Sequence, residues 1–262
     1  MLISDSLHWQ CHGDKSLPPL VLLHGFLGSA ADWQDYVGYL SHQCYCICID
    51  LPGHGGSRAV SLPTPGLMPC AELILTLLAQ LGIERFHLQG YSLGGRVALH
   101  IAKRAPHALL SLHLESCHPG LLSADERATR LAADHLWAQQ LLSQPLADFL
   151  AAWYQQAVFT DLSTAQRQAL IAKRSQNDAA ALHHCYCSTS LGLQQNMRAV
   201  PASLDCHFYA GSDDAKFLAL AQQWQQSAGP TCHLISHAGH NIHQAAPRAL
   251  AHKVLTHIYQ GS

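Results

Sequence analysis

Phe86-His87-Leu88-Gln89-Gly90-Tyr91-Ser92-Leu93-Gly94-Gly95-Arg96-Val97-Ala98 decides how the rest of this chain reads. Residues 86–90 form a short apolar run of strand character, and residues 93–104 carry a helical pattern. Between them, Gly90-Tyr91-Ser92-Leu93-Gly94 fits G-x-S-x-G, the strand–turn–helix corner that lifts a nucleophilic serine above a sheet. Glycine is needed at both ends because the turn is tight and a Cβ would collide with neighbouring backbone. The plainer alternative is a Gly-rich turn with a capping serine. The flanking strand and helix weigh against it.

Outward from this corner, strand-like and helix-like segments alternate. Residues 19–24 and 44–50 read as strands, 29–42 and 70–82 as helices, and 109–115 as a further strand. That order predicts a parallel sheet with helices on both faces. From 118 to about 197 no strand is apparent, only segments rich in Ala, Gln and Leu. Alternation resumes with a strand at 204–210, a helix at 215–226, a strand at 231–236 and one last helix over 241–259. The expected organisation is a core in two parts, 1–117 and 200–262, with an all-helical lid at 118–199 over the strand ends, where such sheets bind ligands.

The partners of a serine nucleophile on this topology follow it as acid and then histidine. Gly211-Ser212-Asp213-Asp214 and His237-Ala238-Gly239-His240 end the two later strands. His240 is read as the base and Asp214 as the acid, with Asp213 an alternative that spacing does not exclude. His24-Gly25-Phe26-Leu27-Gly28 follows the first long strand, so the backbone N–H near Phe26 can join that of Leu93 as an oxyanion hole. Three features in this order predict the α/β-hydrolase fold. His237, His240 and His243 also space as H-x-x-H-x-x-H, but Gly239 breaks any helix that could converge them, so no metal is expected.

Composition narrows the partners. Only 12% of the 262 residues are charged and the formal charge is −2, against roughly 25% charged in an average domain. Nucleic acid and anionic membranes are excluded as partners by the missing basic excess, and disorder by a 48% hydrophobic content. The opening residues lack the basic and apolar regions of a signal peptide. The longest apolar candidate span, 97–114, is interrupted by Lys103, Arg104 and Pro106. Ten cysteines include no C-x-x-C pair, and Cys44, Cys46 and Cys48 alternate as residues of one strand face do. They read as reduced small hydrophobes in a cytoplasmic enzyme. Arginines outnumber lysines ten to five, which makes their placement informative.

Leu23-His24-Gly25-Phe26-Leu27-Gly28, Asp50-Leu51-Pro52-Gly53-His54-Gly55-Gly56-Ser57 and Tyr91-Ser92-Leu93-Gly94-Gly95-Arg96 resemble the 2-succinyl-6-hydroxy-2,4-cyclohexadiene-1-carboxylate synthases of menaquinone biosynthesis. The likeness continues through His118-Pro119-Gly120-Leu121, Trp153-Tyr154-Gln155-Gln156, Lys216-Phe217 and Ala238-Gly239-His240-Asn241. It spans nearly the whole chain. Ser116-Cys117 and Ser212-Asp213 depart from the family's loops and leave the triad intact.

The resemblance implies a lyase without cofactor. Such enzymes take a cyclohexene bearing an enolpyruvyl ether, a ring carboxylate and a succinyl side chain, remove the proton beside the succinyl ketone and expel pyruvate. It implies a small tricarboxylate as the partner, held by Arg96, Arg130 and Arg174, with Tyr91 and Trp153 as walls. Arg96 lies one helical turn past Ser92. Arg127 and Arg167 are read as surface residues. Oligomeric state is left open, a monomer being compatible. A carboxylesterase or thioesterase, a C–C bond hydrolase and a non-catalytic receptor on the same fold are the competing readings.

Overall fold

A computed structural model describes residues 7–227 and 229–260. Its centre is a seven-stranded sheet in the order β1-β3-β2-β4-β5-β6-β7. The strands are β1 (Trp9–His12), β2 (Pro19–Leu23), β3 (Tyr45–Ile49), β4 (Phe86–Tyr91), β5 (Leu109–Glu115), β6 (Cys206–Gly211) and β7 (Thr231–Ile235). Edge strand β1 runs antiparallel to β3, and every other pairing is parallel. Strands β3, β4 and β6 are buried along their whole length, as expected where helices cover both faces.

The helices are α1 (Gln34–Val37), α2 (Leu67–Gln80), α3 (Leu93–Arg104), α4 (Ala124–Ser143), α5 (Leu146–Trp153), α6 (Thr164–Arg174), α7 (Ala179–Ser188), α8 (Ala215–Gln226), α9 (Ile242–Ala245) and α10 (Pro247–Gln260). The sheet divides the core in two. On one face Val21, Ile47 and Leu88 pack against α2, α3 and α8. On the other Leu20, Leu22 and the row Cys44, Cys46, Cys48 pack with Trp33, Tyr36 and Val254. Alternation along β3 therefore sends its isoleucines one way and its cysteines the other.

Three expectations differ from the observed elements. The helix at 29–42 is a 3-10 turn, Ala30–Trp33, followed by the single turn α1. There Asp32 Oδ2 accepts from the Ser29 N–H at 3.1 Å, tightening the first turn, and Gly38 ends the second. The last helix is split into α9 and α10 at Ala246, because Pro247 lacks an N–H and bars the residue before it from helical geometry. Strand β1 has no counterpart in the sequence reading. It is four residues long, WQCH, and lies at an edge.

Between β5 and β6 the described residues contain helices and turns only. A capping box starts α4: Ser123 Oγ accepts from the Glu126 N–H at 3.0 Å, and Glu126 Oε2 accepts from the Ser123 N–H at 2.9 Å. Helices α4, α5 and α7 enclose a cluster of Leu141, Phe149, Leu150 and Leu182, which Leu27 joins from the core. Arg130, Trp153 and Tyr186 of these helices line a cavity with Ser92, just past the end of β4. Among the described residues no helix is long and apolar enough to cross a membrane.

Candidate active site

Ser92 stands between β4 and α3 at φ 50°, ψ −107°, a backbone geometry that costs about 1–3 kcal/mol and persists only where its surroundings enforce it. Here they do. A Cβ on Gly94 would lie 2.1 Å from the Leu23 carbonyl oxygen, and one on Gly90 would lie 2.4 Å from that of Gly94. Strand and helix approach so closely that neither glycine can be exchanged freely. The Ser92 N–H donates to the Glu115 carbonyl at 2.9 Å, fastening the corner to β5.

The loop after β6 brings a carboxylate to His240. Asp214 is buried at the start of α8, where Oδ1 accepts from the Phe217 N–H at 3.1 Å. Its Oδ2 accepts from His240 Nδ1–H at 2.8 Å. Asp213 is exposed and takes the Ser212 hydroxyl at 2.9 Å. Of the two adjacent carboxylates, the one that meets His240 is Asp214. A Cβ on Gly211 would come within 2.1 Å of the Ala238 carbonyl oxygen, so the acid and histidine loops touch. Tyr91, Phe159 and Phe217 surround the His240 ring at centroid distances of 5.4, 5.9 and 4.7 Å.

The H-x-x-H-x-x-H run does not converge. His237 is exposed, His240 faces Asp214, and His243 is held by Glu115 through both its backbone N–H (3.0 Å) and its Nδ1–H (2.9 Å).

The loop after β2 is set by two neutral histidines. His54 donates Nδ1–H to the Pro52 carbonyl and accepts the Leu27 N–H on Nε2 at 3.1 Å. Burial lowers its pKa to about 3, so the ring stays neutral and Nε2 stays an acceptor. His24 likewise accepts the Leu51 N–H at 2.9 Å. With that support Leu27 holds φ 69°, a value L-residues rarely adopt. Phe26, just before it, packs edge-on against Trp153 of α5 at 5.4 Å.

Ser92, His240, Phe26, Tyr91, Arg130, Trp153 and Lys216 line one cavity of about 290 Å³, near the lower end of the range for small-molecule sites. A larger cleft, about 840 Å³ beside α2, is lined by none of these residues. Arg130 Nε donates to Asp134 Oδ1 at 2.7 Å. Tyr186 and Ser190 hydroxyls donate to the same buried carboxylate at 2.8 and 2.6 Å, so the guanidinium has a fixed support. Burial pushes the Lys216 pKa down, with Arg130 acting in the same direction. Two cations therefore already crowd the cavity.

The other two arginines lie differently from the expectation of direct lining. Arg174 is buried in an adjoining cleft with Tyr91, Trp153 and Tyr154. Its Nη2 donates to Asp32 Oδ2 at 2.6 Å, and Lys173 reaches the other oxygen at 2.8 Å. Burial works to raise the Asp32 pKa, but the two cations override it and hold the carboxyl well below the usual range. Arg174 Nε, by contrast, is buried without a hydrogen-bond partner. Arg96 does not line the cavity. Its guanidinium donates to the Thr189 carbonyl and to Gln194 Oε1, because its place on α3 aims it at the segment that follows α7. Burial lowers its pKa to about 10.

Lys216 and Asp134 join the site beyond the residues expected from the sequence. Both carried a signal in the sequence: Lys216 sits two residues past the acid, and Asp134 is four residues past Arg130 on one helix, the spacing of an ion pair.

A model of the α/β hydrolase fold matches residues 18–244. The 2-succinyl-6-hydroxy-2,4-cyclohexadiene-1-carboxylate synthase of Salmonella arizonae is 43% identical over 237 residues, covering 90% of this chain and 91% of that one. The synthase of Salmonella typhimurium matches to the same extent. Among solved structures, MenH from S. aureus superposes with a TM-score of 0.89 over 97% of this chain and 98% of that one, at 24% identity. A hydrolase from Pseudomonas aeruginosa superposes with a TM-score of 0.77 over 96% and 94% at 20% identity. These two likenesses speak for the fold alone; the Salmonella sequences speak for the family. The chain belongs to the α/β-hydrolase fold family and, within it, to the 2-succinyl-6-hydroxy-2,4-cyclohexadiene-1-carboxylate synthases.

Proposed function

We propose that this chain eliminates pyruvate from 2-succinyl-5-enolpyruvyl-6-hydroxy-3-cyclohexene-1-carboxylate, giving 2-succinyl-6-hydroxy-2,4-cyclohexadiene-1-carboxylate, as a carbon–oxygen lyase of menaquinone biosynthesis in the cytoplasm. The observation that carries the reading is the convergence of Ser92, His240, Arg130 and Lys216 on one cavity. It occurs in a chain 43% identical to synthases of that product.

His240 gives its Nδ1–H to Asp214, which leaves Nε2 with a free lone pair. The Ser92 hydroxyl proton passes to that nitrogen, and Ser92 Oγ takes the proton from the ring carbon beside the succinyl ketone. A positioned base of this kind is worth about 10²–10⁴-fold. The electron pair moves onto the ketone oxygen, where the N–H groups of Phe26 and Leu93 hold the enolate. One such donor contributes about 3 kcal/mol. When the enolate collapses, the ring double bond shifts and the C–O bond to the enolpyruvyl group breaks. The departing enolate of pyruvate takes back a proton, restoring Ser92 and His240. No water is consumed.

The substrate brings three carboxylates, and the lid supplies the cations. We assign Arg130 to one of them and the unpartnered Nε of Arg174 to another. Lys216 faces the same space, and Arg96 adds positive potential from beneath. Trp137, Trp153 and Phe159 line the cavity and exclude water, which strengthens each charge interaction.

One assay tests the reading: pyruvate release from the enolpyruvyl substrate, run beside hydrolysis of a simple aryl ester. Pyruvate release with slow ester turnover is expected. Rapid ester turnover without pyruvate makes the chain a carboxylesterase, thioesterase or C–C bond hydrolase, and inactivity on both makes it a receptor.

A further inference from the structure

The sheet face under α10 carries a row of histidines that the elimination does not use. His87 Nδ1 and His113 Nε2 each lie 2.7 Å from Ser111 Oγ, and His113 Nδ1 lies 3.0 Å from the Tyr209 hydroxyl. The row continues into His207 on β6 and His233 on β7. Strand register pairs Tyr209 with His233 and His207 with Thr231, so the two histidines are diagonal neighbours on one face. Helix α10 closes over them and adds His257, whose ring lies 3.8 Å from that of His207 and 4.6 Å from that of His233.

We propose that His207, His233 and His257 bind one divalent transition-metal ion of the class that favours imidazole, zinc being the reference case. One ring nitrogen from each lies within 4.8 Å of the other two. His207 Nδ1 and His233 Nε2 are 3.0 Å apart, and two imidazoles on a tetrahedral zinc at about 2.0–2.1 Å bring their nitrogens to roughly 3.3 Å. His257 Nε2 is buried without a partner, and folded proteins rarely leave a buried polar atom unsatisfied. A metal would satisfy it.

The geometry also states what must move. The His207 and His257 rings are stacked at 17°, and in-plane lone pairs of stacked rings do not meet. His257 must turn about its Cβ–Cγ bond, and its Nε2 has no hydrogen bond to lose in turning. Asp205 Oδ1 stands 3.0 Å from His207 Nε2, outside hydrogen-bond geometry; a small turn of the ring on metal binding brings the Nε2–H onto it, the contact by which a carboxylate orients a ligating histidine from behind.

The donor set is nitrogen rather than sulfur. Cys206 belongs to the core on the opposite face, and Cys232 Sγ donates to the Ala221 carbonyl. Three imidazoles suit zinc, nickel or copper and not calcium or magnesium. Burial and the neighbouring histidines lower the His233 pKa to about 4, consistent with the neutral, ligating form. His207 lies four residues before the C-terminal end of β6, about 13 Å of strand away, so the site is separate from Ser92.

Equilibrium dialysis against Zn²⁺, with Co²⁺ absorption as a second reading, tests the proposal on the whole chain and on His233→Gln and His257→Gln. The native chain should take up one equivalent that both variants lose, while their circular dichroism without metal stays native. Asp205→Asn should raise the half-saturating Zn²⁺ concentration by about 10–100-fold. Cobalt should show d–d bands without a thiolate charge-transfer band. Binding that both glutamine variants retain, no stoichiometric binding, or a thiolate band overturns the proposal and leaves the row as polar packing. Should His233→Gln misfold, the half-exposed His257→Gln decides.

Discussion

Asp214 receives two hydrogen bonds, from Phe217 N–H and His240 Nδ1–H, while the exposed Asp213 one residue earlier receives one from the Ser212 hydroxyl. Exchange to asparagine separates them. Asp214→Asn removes the acceptor that sets the His240 tautomer and should lower kcat for pyruvate release by about 10²-fold or more, whereas Asp213→Asn should stay near the native rate. Ser92→Ala should lower kcat by about 10²–10⁴-fold if Ser92 Oγ receives the proton; near-native turnover would hand that role to His240. Arg130→Ala should cost about 1.5–3 kcal/mol in kcat/KM. Arg130→Lys should not restore it, because a lysine cannot bridge Asp134 and a substrate carboxylate with one planar fork. Spacing along the chain offered both aspartates equally. Only the close approach of Gly211 to Ala238 brings one of them to the histidine, and that is a contact between loops 27 residues apart.

At the scale of elements, the strand–turn–helix corner was legible because its glycines answer a local need. Gly94→Ala puts a methyl group into the Leu23 carbonyl and should destabilise the fold by about 1–3 kcal/mol or more, read as a lower urea midpoint with an unchanged slope. The loop after β2 was legible only as a motif. Its shape depends on His54, 27 residues away from Leu27, and on the positive φ that His54 sustains. His54→Ala should strand the Leu27 N–H, cost about 1–3 kcal/mol of stability, and lower kcat more than it raises KM. Equal losses in a Tm-matched control variant would make the effect one of stability alone. The orientation of Arg96 was illegible for a comparable reason. One turn past Ser92 fixes its place on α3, but its partners, Thr189 and Gln194, come from the segment after α7, more than 90 residues on.

For the molecule as a whole, the neutral histidines set how it meets acid. His54, His87 and His100 are buried, and burial lowers their pKa values to about 3, 4 and 4, from about 6.5 in an unfolded chain. Between those limits the unfolded state binds the proton and the folded state does not, so stability is present above pH 6.5 and declines as pH falls toward 4. At pH 5 each such group costs about 2 kcal/mol, and the three together about 6, a large share of the 5–15 kcal/mol that holds an ordinary domain. Asp32 does not contribute to that decline. Its carboxyl is held low by Arg174 and Lys173 against the pull of burial, so its stabilisation is lost only below about pH 4. Urea unfolding at about pH 7, 6 and 5 should therefore show the midpoint falling steadily with a constant slope. His100→Gln should flatten the fall, because a glutamine takes up no proton when the chain opens. A midpoint that holds constant down to pH 5 would mean that these histidines find protons or partners in the folded chain, and the neutral support for the Leu27 N–H would have to be given up with them.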